Sequence, residues 1–243
     1  MSMRRSPWLA VAVLVACVSC RGGNAAPARP LIVLIGDSTT AGYGGQDGYV
    51  VAAKTPLAFL LAHLPETSRW RHAEVVNLGI PNTTSREWAE ASLRCRSAPP
   101  EMGADVQPGF RLAARACPSG APLAGEVPAF VGRPIDLALV VLGTNDPYRD
   151  PAATPEQTVA NLRIIATRLA PARVLIASPF WTTHPGRAKF VEALAERLAS
   201  NGLLTGPDFA RIHLPLDGSQ VHLTYGGFVA GGALWLDTLR DLR

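Results

Sequence analysis

The stretch Leu31-Ile32-Val33-Leu34-Ile35-Gly36-Asp37-Ser38 decides how the rest of the chain is read. Five consecutive aliphatic residues leave no polar face, so the segment is expected as a strand covered on both sides, as in a parallel sheet. It stops at a glycine followed by short polar residues, which predicts a turn. The same texture returns at residues 73–78, 135–142 and 173–177, and more weakly at 210–214. Helical patterns separate these runs at 57–64, 85–93, 187–199 and 225–242. One more follows Thr154-Pro155-Glu156-Gln157, a capping box with proline inside it. Strands alternating with helices predict a doubly wound α/β domain. Sites in such sheets lie beyond the carboxyl ends of the strands, so the residues just after each apolar run carry the interest.

The chain is basic but its body is not. Of 23 Lys and Arg against 19 Asp and Glu, Arg4, Arg5, Arg21 and Arg29 precede residue 31 and no acid does. Residues 31–243 are therefore neutral and give no electrostatic basis for nucleic-acid binding. Residues 1–16 have the anatomy of a signal peptide. Arg4-Arg5 is followed by a short apolar run through Trp8, Leu9, Val11, Val13, Leu14 and Val15, too short to span a bilayer comfortably. Residues 17–30 read as a flexible stalk, and 31–243 as one domain. Two cysteines lie in that domain, Cys95 and Cys117. Outside the cytoplasm a disulfide between them is permitted, with two unpaired thiols as the alternative. The Pro-, Gly- and Ala-rich residues 97–133 are expected as an irregular insertion, a lid or rim pinned by that bridge. Residues 31–243 contain no Cys-x-x-Cys or His-x-x-x-His spacing, so no metal site is expected.

At the first strand end, Ser38 would be exposed at the sheet edge among free backbone N–H groups. Its hydroxyl is a weak nucleophile and needs a base from elsewhere in the chain. Val76-Asn77-Leu78-Gly79 and Leu142-Gly143-Thr144-Asn145-Asp146 end the next two strands. Gly79 N–H and the Asn145 amide are suitable donors to a developing oxyanion, although glycine and Asn-Asp-Pro are also ordinary turn residues. Among five histidines, His63 and His72 fit a solvated surface and His213 a packed strand. His184, in Trp181-Thr182-Thr183-His184-Pro185, could line a cleft. His222, in Asp217-Gly218-Ser219-Gln220-Val221-His222-Leu223-Thr224, is a loop histidine with a nearby carboxylate, which is what a general base needs.

Gly36-Asp37-Ser38, Asn77-Leu78-Gly79, Gly143-Thr144-Asn145-Asp146 and Val221-His222-Leu223-Thr224 together resemble the four ordered blocks of the SGNH hydrolases, the GDSL esterases and lipases. The resemblance covers residues 31–243. It implies a flavodoxin-like three-layer α/β sandwich with a five-stranded parallel sheet in the order 2-1-3-4-5. It implies Ser38 as nucleophile, His222 as base, and an oxyanion hole from Ser38 N–H, Gly79 N–H and the Asn145 side chain. No metal or organic cofactor is implied, and the partner is a small-molecule ester. One block departs from the pattern. The family usually carries Asp three residues before the histidine, where this chain has Ser219; Asp217 is the nearest carboxylate. Either Asp217 orients His222, or a backbone carbonyl does and the site is a Ser–His dyad. Separately, Leu14-Val15-Ala16-Cys17 resembles the lipobox of bacterial lipoproteins, which implies lipidation of Cys17, with Cys20 a poorer second candidate. The expectation is then an exported esterase tethered to the outer face of a bacterial membrane. An envelope acyltransferase on the same site, and an inactive envelope-binding lipoprotein, are the competing readings.

Overall fold

The computed structural model describes residues 29–43, 68–90 and 107–242. The signal segment, Cys17, Cys20, Cys95, His63 and the helix expected at 57–64 lie outside the described residues. Strand β1 (Leu31–Gly36) is buried at all six positions. Its side chains sort by parity, as a pleated strand requires. Leu31, Val33 and Ile35 enter one core cluster, while Ile32 and Leu34 enter a second on the opposite face. Fully burying each such aliphatic side chain stabilises the fold by about 1.5–3 kcal/mol, so the run that opened the sequence reading is also the centre of both cores.

Beside β1 lie β2 (Glu74–Asn77) and β3 (Leu137–Val141), and β4 (Arg173–Ala177) extends the sheet. The order is β2-β1-β3-β4 and every pairing is parallel. The chain leaves β1 to one side for β2 and returns to the other for β3, so the crevice between the ends of β1 and β3 is the topological switch point.

Helices cover both faces. On one lie α2 (Ser85–Ala89), α3 (Gln107–Ala116), α4 (Leu123–Val131), α6 (Pro155–Leu169) and α7 (Ala188–Ser200), contributing Trp88, Leu112, Val127, Leu162 and Leu194 to the core. On the other, α8 (Tyr225–Arg240) contributes Phe228 and Trp235, packed with Phe180 and Phe209. Two short helices sit at strand ends, α1 (Ser38–Ala41) after β1 and α5 (Asp146–Arg149) after β3. The capping box expected before α6 is present: Thr154 accepts from Gln157 N–H and Gln157 accepts from Thr154 N–H.

Two expectations need correction. The fifth strand at 210–214 does not form; Phe209–Arg211 is a 3-10 turn. The preceding residues do run along the free edge of β4, with Gly206 N–H donating to Ile176 C=O at 2.8 Å and Ser178 N–H to Pro207 C=O at 3.2 Å. Side-chain hydroxyls interrupt the ladder. Ile176 N–H donates to Thr205 Oγ1 and Ala210 N–H to Ser178 Oγ, while Pro207 has no N–H to give. The second correction concerns 97–133. Residues 97–106 lie outside the described residues, but 107–131 are largely helical, and α3 and α4 are a layer of the core, not a lid. Cys117, at the start of the 3-10 turn Cys117–Ser119, is disulfide-bonded.

Candidate active site

Ser38 is the first residue of α1, and the helix is capped by its neighbour: the Asp37 carboxylate accepts Thr39 N–H at 3.0 Å. The cap fixes where β1 turns into α1 and leaves Ser38 at the sheet edge, 8% exposed. Asp37 itself is buried, and burial raises its carboxyl to about 6, against the pull of the Thr39 N–H and of the Arg187 cation.

His222 arrives from a loop between Leu216 and Leu223, which form an antiparallel bridge. Asp217 N–H donates to His222 C=O at 2.9 Å, and Gln220 N–H closes a turn onto Asp217 C=O at 3.1 Å. Gln220 takes a left-handed φ of 62° at the tip. This small hairpin holds Nε2 of the half-buried His222 3.1 Å from Ser38 Oγ, across 184 residues of sequence. The Tyr43 ring meets the imidazole edge-on at 4.7 Å. Burial holds the His222 pKa below the usual imidazole value; the Asp217 carboxylate opposes that shift and the Arg187 cation adds to it. The ring is therefore neutral near pH 7, as a base must be.

The group beside His222 Nδ1 is one that neither expectation named, Ser219. Asp217 does not touch the ring. Ser219 stands between them: its hydroxyl donates to Asp217 Oδ1 and lies 3.0 Å from His222 Nδ1. Asp217 Oδ2 is buried and accepts no hydrogen bond.

The expected oxyanion donors sit at the ends of β2 and β3, each already facing an acceptor. Gly79 N–H donates to Asn77 Oδ1 at 2.9 Å, and the Asn77 amide donates to Thr40 C=O at 2.7 Å, tying this turn to α1. Asn145 Nδ2 donates to Thr83 C=O at 3.1 Å and to Asp37 Oδ2 at 3.4 Å, so its amide adjoins the Gly-Asp-Ser turn. Arg187 Nη1 donates to Asn145 Oδ1 at 3.2 Å, and its guanidinium lies over the Tyr148 ring at 4.5 Å. Burial lowers the pKa of this arginine, and its Nε is buried with no acceptor.

The other described histidines are His72, His184 and His213. His184 accepts Gly186 N–H through Nδ1, His213 is exposed and stacks on Trp181 at 4.2 Å instead of packing in a strand, and His72 is exposed with a φ of 65°. Three residues that shape the site escaped the sequence reading as participants. Asn77 and Ser219 stood inside quoted motifs without a role, and Arg187 gave no local signal because its target, Asn145, is 42 residues away.

The sequence model of the GDSL-like lipase/acylhydrolase family matches residues 32–199. That span contains Ser38, Gly79 and Asn145 and stops short of His222. No curated protein matches the chain. Among solved structures, an aryl esterase of M. smegmatis is 20% identical with a TM-score of 0.59, covering 88% of this chain and 100% of its own. A carbohydrate acetylesterase family member from Sinorhizobium meliloti is 18% identical with a TM-score of 0.60, over 87% and 97%. A lipase/acylhydrolase from Enterococcus faecalis is 18% identical with a TM-score of 0.55, over 87% and 95%. At these identities the likeness is one of fold.

Proposed function

The chain belongs to the GDSL-like lipase/acylhydrolase family, and on that premise we propose that it cleaves carboxylic esters through an acyl-enzyme on Ser38. The observation that carries this reading is the 3.1 Å contact between Ser38 Oγ and His222 Nε2. Ser38 Oγ attacks the ester carbonyl as His222 Nε2 takes its proton. The tetrahedral intermediate collapses, and the departing alkoxide receives that proton. Water then repeats the sequence with His222 as base, releasing the acid and restoring Ser38. Ser38 N–H, Gly79 N–H and the Asn145 amide receive the oxyanion. A full negative charge is a stronger acceptor than the Asn77 and Thr83 oxygens that hold the last two in the free enzyme, so the donors are drawn from them or shared.

The substrate class we propose is a small acyl ester or an ester on a carbohydrate or lipid. Residues 1–30 support an exported lipoprotein anchored through Cys17 beside such material. Ser38→Ala is expected to lower kcat on a nitrophenyl ester by on the order of 10⁴–10⁶-fold and to abolish labelling by a serine-reactive phosphonate. A nitrophenyl series of increasing acyl length, run beside acetylated xylan and acetylated peptidoglycan, selects the acyl group and alcohol. A folded wild type that neither turns over any of these nor takes the phosphonate sinks the reading.

A further inference from the structure

We propose that Ser219 is a positioning residue that couples the Asp217 carboxylate to the His222 imidazole, in a relay running Asp217–Ser219–His222–Ser38. The proposal rests on the reading of Ser38 as nucleophile and His222 as base. A hydroxyl carries one proton and two acceptor lone pairs. The Ser219 proton goes to Asp217 Oδ1, which leaves only acceptor capacity toward His222 Nδ1 at 3.0 Å. Nδ1 must then carry the ring proton, and Nε2 is left with its lone pair facing Ser38 Oγ. Without a carboxylate at 217, the hydroxyl is free to rotate and donate to Nδ1. The ring proton would then sit on Nε2, which could no longer accept from Ser38. Asp217 thus selects the working tautomer without touching the ring. No proton leaves Ser219 or Nδ1 in the step: the proton of Ser38 moves to Nε2, and the hydroxyl polarised by Asp217 faces the imidazolium that forms. The hairpin maintains the alignment, since Ser219 N–H also donates to Asp217 Oδ1 at 2.8 Å.

Ser219 Oγ also faces Val221 and His222 N–H at 3.2 and 3.1 Å, so its two lone pairs are shared among three N–H groups, and a merely structural role as a turn cap is the competing explanation. A double-mutant cycle with p-nitrophenyl acetate, and the nitrogen NMR shifts of the His222 ring, separate the two. Ser219→Ala and Asp217→Ala are each expected to lower kcat by about 10²-fold with KM within about twofold. Ser219→Thr, which keeps a hydroxyl, should recover most of the loss. Removing Asp217 in the Ser219→Ala background should cost several-fold less than in wild type. NMR should find the proton on Nδ1 in wild type and a growing Nε2–H share in Asp217→Ala. Equal losses in both backgrounds, or an unchanged Nδ1–H share in Asp217→Ala, overturn the relay. The tautomer readout compares wild type with Asp217→Ala and does not need Ser219→Ala, so it stands even where that variant does not fold. Because that readout needs no turnover, a wild type without Ser38-dependent hydrolysis would defeat the proposed function while the NMR still judges the relay.

Discussion

Arg187 acts on the site twice, once by a hydrogen bond and once by its charge. Its Nη1 faces Asn145 Oδ1, and that contact decides which end of the amide points toward Asp37 and the Ser38 turn. Its charge disfavours the His222 imidazolium. The groups that face His222 are Ser38, the Tyr43 ring, Ser219, the Asp217 carboxylate and Arg187. Below its pKa the ring is protonated and cannot accept from Ser38, so the acid limb of kcat/KM is expected below the ordinary imidazole range. Arg187→Met keeps an apolar stem against Tyr148 and removes the charge. The limb should then move to higher pH, because a cation that destabilised the imidazolium is gone. Asp217→Asn should move it the opposite way, because the carboxylate stabilises the imidazolium. Arg187→Met should also lower kcat by about tenfold if Asn145, as proposed, is an oxyanion donor that loses its orientation. A pH–rate profile of both variants checks the signs, and limbs that shift together would contradict the electrostatic account.

The turn after β2 shows how elements fix the site. A Cβ on Gly79 would lie 2.4 Å from Ala41 N, and one on Gly109 would lie 2.5 Å from Gly79 C=O. The turn is therefore pressed between α1 on one side and α3 on the other. Gly79→Ala meets backbone, not a flexible side chain, so α1 or the turn must shift. A cost of about 1–3 kcal/mol is expected from overpacking, with a lower Tm. Activity should fall further than that loss explains, because α1 carries Ser38. Activity retained at a lowered Tm would mean that Ser38 and Gly79 are not positioned together. The same elements show what was legible in the sequence. β1, β3 and β4 announced themselves because strands buried on both faces need unbroken aliphatic runs, and α6 because its cap is local chemistry. Helix α3 was hidden. Pro108-Gly109 reads as a breaker, yet the proline sits in the first turn, where no N–H is needed, and Gly109 is there because Gly79 C=O leaves room for nothing larger. The missing fifth strand had the opposite cause, an apolar run whose ladder is taken by the hydroxyls of Thr205 and Ser178. In the site, Ser38, Gly79, Asn145 and His222 were legible as ordered motifs. Ser219 and Arg187 were not, since a hydroxyl in place of a carboxylate reads as a loss and a contact across 42 residues leaves no pattern.

On the scale of the whole molecule, the switch-point crevice concentrates buried carboxylates that the fold must tolerate. Asp37 is raised to about 6 by burial. Asp146, which accepts from Ser85 N–H, Ser85 Oγ and Thr158 Oγ1, is raised by burial as well. For both, the folded-state pKa lies above the unfolded value, so the native state binds protons more tightly than the unfolded chain does. The sign follows from linkage: the stability they contribute is fully present below the unfolded value of 3.8 and is lost as pH rises through the folded-state pKa, which for Asp37 is about 6. For Asp37 the span is about 3 kcal/mol. His222 works the other way, because its depressed pKa makes the neutral ring the native form, and that contribution is lost as pH falls. The opposed terms both act on the acid side of neutrality and partly hide each other in the wild type, so its own Tm curve is a poor witness. A difference curve is a good one. Asp37→Asn keeps an oxygen to accept Thr39 N–H and removes the ionisation; the contact from Asn145 Nδ2 that it also loses is a pH-independent offset. Its Tm relative to wild type should rise between the unfolded value of 3.8 and about 6, and level off above, where Asp37 is ionised in both states. A difference independent of pH would mean that Asp37 is ionised in the fold throughout, held so by Arg187 and the Thr39 N–H against the cost of burial.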